Sequence, residues 1–86
     1  METNLPSHEI LVETLNAAWA AHKEFENGFL NGVRDEQWST WFTGYVLGRL
    51  GDFVSPSSLV VWLESIDAEE GWSEAAASLV LNELMK

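Results

Sequence analysis

From Ser7 onward the chain alternates between runs with a helical period and short polar breaks. In the first run Leu11, Leu15, Ala18, Trp19, Phe25 and Phe29 fall on one broad face, with Val12 at its margin. Glu9, Glu13, Asn16 and Glu24 take the opposite face. Apolar positions recurring in this way mark a helix that turns one side to a core. Ser7 suits the N-cap, and Glu9 sits in the first turn, where the helix dipole favours negative charge. Asn27-Gly28 is the expected stop, because both residues tolerate the left-handed conformation of a helix end. Asn31-Gly32 follows, so Phe29-Leu30 is expected in a turn between two breaks.

A second helix is predicted to start around Asp35 to Ser39 and end at Gly51, with Trp38, Trp41, Phe42, Tyr45, Val46 and Leu50 as its stripe. Beside that stripe run Thr40, Gly44 and Gly48. Two helical glycines cost about 1 kcal/mol each relative to alanine. Close approach of another helix or an indole ring would offset that cost; a bent or frayed helix is the plain alternative. Ser55-Pro56 starts a third helix, cap followed by proline, with Leu59, Trp62, Leu63 and Ile66 on its face. After an acidic loop at 67–71, a fourth helix turns Ala76, Ala77, Val80, Leu81 and Leu84 inward. The expected architecture is all-α, a compact bundle of about four short helices near 8–27, 37–50, 56–66 and 73–85. Residues 1–6 are expected to form a flexible tail, and 7–86 a single helical domain.

The segment Glu36 to Leu50 aligns without gaps to Glu70 to Leu84, with glutamate, tryptophan, serine, valine and both leucines coinciding. Two helices entered by the same device account for the echo: an aromatic just before a serine-led first turn, packing back like a hydrophobic staple. The run Trp38-Ser39-Thr40-Trp41-Phe42-Thr43-Gly44-Tyr45-Val46 also resembles a pattern in small, uncharacterised bacterial all-helical proteins. In that pattern tryptophan and proline precede a Trp-Tyr-Ala run and another tyrosine. Here Ser39 stands for the proline, Phe42 for the tyrosine and Thr43 for the alanine. The resemblance implies an all-helical fold and carries no activity with it.

Charge and composition mainly narrow the partners. Fourteen acidic residues against four basic ones leave a formal charge of −10. Direct nucleic-acid binding, which draws on cations that neutralise phosphates, is not expected, nor is an anionic membrane surface. A basic partner would be steered in instead, although excess acid also keeps a small protein soluble. The chain has no cysteine, so disulfides, thiolate zinc sites and cysteine nucleophiles are out. The longest uncharged stretches, 37–48 and 53–63, are too short to span a bilayer. Without a basic, apolar leader pattern at the start, a cytoplasmic location is expected.

Little points to catalysis or metal. His8 and His22 lie about 21 Å apart along one helix and cannot share an ion. His22 with Glu26 is half a metal pair at most, and packing of His22 against an aromatic is the expected role. The acidic loop fails as a calcium site, since Ser78 stands where the bidentate glutamate belongs. Neither catalytic, metal nor cofactor-binding residues are assigned, and no enzyme is expected.

Aromatic load is the remaining signal: Trp19, Trp38, Trp41, Trp62 and Trp72 with Phe25, Phe29, Phe42, Phe53 and Tyr45. Three of the tryptophans are expected to fill the core, whereas Trp38 and Trp41 are expected to be partly exposed. Arg49 lies within the stripe and could stack on Trp38, Phe42 or Tyr45, or extend to solvent. Glu36 beside Trp38 supplies an acidic rim. The expected partner site is therefore Trp38, Trp41, Phe42, Tyr45, Arg49 and Glu36. The expected function is a non-catalytic adaptor, chaperone-like or inhibitory protein whose aromatic groove takes a basic or mixed basic and apolar segment of another protein. A carrier of a hydrophobic or planar ligand, an acidic nucleic-acid mimic that blocks a basic site, and a homodimer remain open.

Overall fold

The computed structural model describes residues 5–86 and contains helices α1 (His8–Phe29), α2 (Trp38–Leu50), α3 (Pro56–Glu64) and α4 (Trp72–Leu84). Among the described residues there is no strand. The fold is an all-α bundle. Of the expected tail, residues 1–4 lie outside the described residues, and Leu5 and Pro6 precede α1 without regular structure. Neighbours form a ring: α1 lies beside α2 and α4, and α3 closes the far side against the same two helices.

Local chemistry explains most boundaries. Ser7 caps α1 through its side chain, which accepts from Ile10 N at 3.1 Å. Ser55 caps α3 by accepting from Ser58 N, with Pro56 in the first turn. Gly51 ends α2 at a φ of 88°, a region glycine enters without steric cost. The expected stop at Asn27-Gly28 is corrected, because α1 continues through Gly28 to Phe29. Phe29 packs on Phe25 one turn back, ring centroids 5.6 Å apart. The reversal falls instead at Asn31 and Gly32, with φ of 54° and 80°, and the amides of Leu30 and Gly32 both donate to Glu26 O. At its own end, α3 stops two residues short of the expected position, where Ser65 Oγ donates to Trp62 O.

Leu11, Leu15 and Ala18 of α1, Phe42, Val46 and Leu47 of α2, Leu59 and Leu63 of α3, and Ala76, Ala77 and Val80 of α4 form the core, with Phe53 from the α2–α3 connection. Relative to the expected stripe, the buried face of α2 is rotated to Ser39, Phe42, Thr43, Val46 and Leu47. Two neighbours cause this: α2 is packed between α1 and α3 and must bury more than one stripe. Trp41, Tyr45 and Leu50 are left partly buried at its flank.

Ser39 and Ser73 are not caps. Each follows the tryptophan that opens its helix, is buried, and reaches another helix: Ser39 donates to Glu64, and Ser73 Oγ to Asn16 Oδ1 at 2.7 Å. Trp38 and Trp72 pack on one another edge to face at 5.9 Å, and Trp38 also packs back on Phe42 of its own helix at 5.6 Å. The sequence echo is thus a spatial pair.

The small-residue track has no partner. A Cβ at Gly44 or Gly48 would meet nothing within 4 Å, so no helix or ring approaches there. Both glycines have ordinary helical backbone and weaken α2 without a packing return. Gly44→Ala and Gly48→Ala are each expected to raise unfolding stability by about 0.5–1 kcal/mol, read as a higher denaturation midpoint with an unchanged slope.

Candidate functional site

Trp19, His22 and Glu26 are spaced three and four residues apart and share one face of α1. Opposite them stand Trp38 and Trp72, the first residues of α2 and α4. Between these elements opens a cleft of about 390 Å³. Trp19, Trp38 and Trp72 form its walls, the buried side chains of Phe42 and His22 its floor, and Glu26, Arg34 and Asp35 its polar edge.

The walls are ordered by edge-to-face packing. Trp72 meets Trp19 at 5.9 Å and 89°, and Trp38 at 5.9 Å and 71°. Phe42 lies edge-on to all three, at 5.7 Å from Trp19, 5.6 Å from Trp38 and 5.8 Å from Trp72. Such geometry suits the ring quadrupoles and fixes the indoles relative to one another. Trp19 nevertheless remains 50% exposed, which corrects its expected place in the core.

The polar edge is held by a chain of hydrogen bonds from α1 through the α1–α2 loop. His22 is 4% exposed, and its Nε2 lies 2.9 Å from Asp35 Oδ2. An ionised carboxylate can only accept, so Nε2 carries the proton. Glu26 Oε2 stands 3.9 Å from the other imidazole nitrogen and accepts from Asp35 N at 2.7 Å. Asp35 Oδ1 in turn accepts from Gln37 N at 2.9 Å, just ahead of α2. The bond from His22 chiefly holds the Asp35 carboxyl below its ordinary value of 3.8; burial opposes this, and the Gln37 amide and the charge of His22 add to the lowering. His22 is packed among Trp41, Phe42 and Phe25, as expected of it. Among the described residues no group of three or more metal-ligating side chains is assembled.

The expected site residues are divided between two flanks. Trp38 and Phe42, one turn apart, reach the cleft as wall and floor, and Phe42 is only 1% exposed. Trp41 and Tyr45 share the next face of α2 and stack on each other at 5.6 Å and 16°, with Trp41 also 5.9 Å from Phe25. Arg49 is exposed and meets Tyr45 at its hydroxyl, Nη1 donating to Oη at 3.3 Å. Glu36 is exposed in the turn before α2 and does not line the cleft; Glu26 and Asp35 provide the acidic edge. Trp19, Trp72, Glu26, Arg34 and Asp35 are cleft residues outside the expected set. Sequence signals could have found three of them, Trp19 and Glu26 by their helical spacing with His22 and Trp72 by its match to Trp38, but none marks Arg34 or Asp35.

The lowered pKa of Asp35 has a defined consequence for stability. The contribution is fully present above the unfolded-state value near 3.8 and is lost as pH falls through the lower folded-state value. In Asp35→Asn the decline in stability below about pH 4 is expected to be shallower than in the parent, measured by denaturant unfolding at successive pH values. An unchanged acid limb would refute the His22–Asp35 coupling. Comparisons with protein-family models, with curated proteins and with solved structures gave no match, so the geometry of the chain itself carries the functional reading.

Proposed function

We propose that this chain is a non-catalytic protein-binding module, of the adaptor, chaperone-like or inhibitory kind, which seats a segment of a partner in the Trp19–Trp38–Trp72 cleft. The observation that carries this reading is the half-exposed indole of Trp19 forming a wall of an open cleft. Burying the rest of that ring would gain roughly 2–3 kcal/mol. A small protein that leaves such surface open, beside two further indoles held rigid, presents the residue type that dominates binding hot spots. The cleft volume of about 390 Å³ suits one or two partner side chains. A basic or mixed basic and apolar partner fits the charge of −10, and a cytoplasmic location belongs to the same proposal.

A planar small ligand is the second reading, and Arg34 at the edge of the cleft favours it where that ligand is anionic. A slot at Gly44 and Gly48 has no support, since those positions face open space. The test is partner capture from the native host, followed by affinity measurement with variants checked for folding. Trp19→Ala is expected to weaken binding by about 2 kcal/mol, roughly thirtyfold in Kd. Trp41→Ala, on the other flank of α2, is expected to change Kd less than about threefold. Loss with Trp41→Ala and not with Trp19→Ala would move the site away from the cleft. Binding that collapses with salt and competes with nucleic acid would favour the mimic instead.

A further inference from the structure

We propose that the residue seated in the cleft is an arginine of the partner segment, its guanidinium held against the indoles and paired with Glu26. This rests on the protein-binding reading and sharpens it to one side chain.

The walls supply the first reason. Trp72 stands nearly perpendicular to Trp19 and Trp38, so the cleft is a corner of indole surfaces rather than a flat slot. The face of a tryptophan is the best aromatic partner for a cation. Arginine exploits such a corner better than lysine, because its planar, weakly hydrated guanidinium stacks on rings and keeps its in-plane N–H donors free.

The acceptors supply the second. Asp35 is held as a carboxylate, but both its oxygens are engaged, by His22 and by Gln37 N. Glu26 differs: Oε2 accepts from Asp35 N, while Oε1 takes part in no hydrogen bond among the described residues. Its side chain is 24% exposed, so a charged donor can reach it from the cleft. A charge-assisted hydrogen bond is stronger than a neutral one.

Two features favour an anion and must be outweighed. Arg34 lines the same cleft, and α2 and α4 present their N-termini at Trp38 and Trp72. The dipole of α4 is offset by Glu74 in its first turn, and Asp35 accepts from the amide of Gln37, the N-cap of α2. Arg34, and the His22 ring when it is protonated, stand against the carboxylates of Glu26 and Asp35, on a chain of formal net charge −10 whose long-range field attracts cations. The balance favours a cation.

Substitutions at the edge read that balance as a sign. Glu26→Gln keeps an amide oxygen for Asp35 N while removing the charge, and is expected to weaken arginine binding. Arg34→Gln removes the competing cation and is expected to strengthen it; an anionic ligand would reverse both effects.

The experiment is an NMR titration of the whole chain, following the indole N–H resonances of its tryptophans. The probes are N-acetylated, C-amidated arginine, citrulline, lysine and leucine, with benzoate as the anionic probe. Arginine is expected to shift Trp19, Trp38 and Trp72 but not Trp62, and to bind about tenfold more tightly than its neutral isostere citrulline. Glu26→Gln should weaken it, and Arg34→Gln should strengthen it, each by about threefold. Equal binding of citrulline or leucine overturns the arginine assignment and leaves an apolar protein-binding cleft. Tighter binding of benzoate that is lost in Arg34→Gln replaces arginine by an anion. Failure of every probe to shift these resonances also overturns the assignment; if Trp19→Ala in addition leaves partner capture intact, the protein-binding reading falls with it.

Discussion

The ring of Phe42 is buried where α1, α2 and α4 converge, with Trp19, His22, Trp38, Trp41 and Trp72 all placing rings within about 6 Å of its centroid. A buried phenylalanine typically contributes about 3–5 kcal/mol over alanine. Against the roughly 4–13 kcal/mol expected of a chain this long, that is a large share. Phe42 also sets the geometry around it. The wall indoles are edge-on to its ring, so its position fixes theirs, and the cleft inherits its shape from a residue that is scarcely accessible from it. Core and site are therefore coupled: the side chain that stabilises the fold also orders the surface that would bind.

Polar contacts serve the same convergence in an unusual economy of cations. The chain has only four lysines and arginines, and among the described residues none of them forms an ion pair between helices. It uses hydroxyls, an amide and imidazoles instead. Ser39 reaches Glu64 at the end of α3, Ser73 reaches Asn16, His8 Nε2 lies 3.1 Å from Ser78 Oγ, and His22 holds Asp35. Each link joins segments distant in sequence, and apart from Glu64 the side chains are short or have few rotatable bonds, so ordering them costs little entropy. The carboxylates left over face solvent, so most of the negative charge remains available to act at long range.

Periodicity and caps made the helices legible, because both are local. Ser7, Ser55-Pro56 and Gly51 act where their chemistry places them. Gly28 misled because one glycine costs a helix only about 1 kcal/mol, and the left-handed reversal is taken by Asn31 and Gly32 instead. Thr14, Thr43 and Ser39 are buried although polar, since burial on α1 and α2 is decided by what packs on either side and not by their own hydrophobicity. The site was half legible for the same reason. Trp38 and Phe42 follow from the stripe of α2, but that stripe divides between two flanks, and sequence cannot show where a helix meets its neighbours. Arg34 and Asp35 lie in a loop whose path depends on His22 and Glu26, and no local pattern encodes that path.

The existence of a cleft follows from the ring of helices. Helices α2 and α4 flank α1 on opposite sides and are not direct neighbours, so their N-terminal ends are bridged by side chains and not by backbone packing. Trp38 and Trp72 make that bridge, and Trp19 from α1 completes the corner. Aliphatic residues at these positions could shrink the gap by collapsing into it. Rigid rings packed edge to face cannot, because T-shaped contacts hold them at a centroid separation of about 5–6 Å and leave an indole face uncovered. The open surface of Trp19 is thus a geometric consequence of spanning this diagonal with indoles. The wide gap and the choice of tryptophan together convert a packing problem between non-adjacent helices into a preformed aromatic recess.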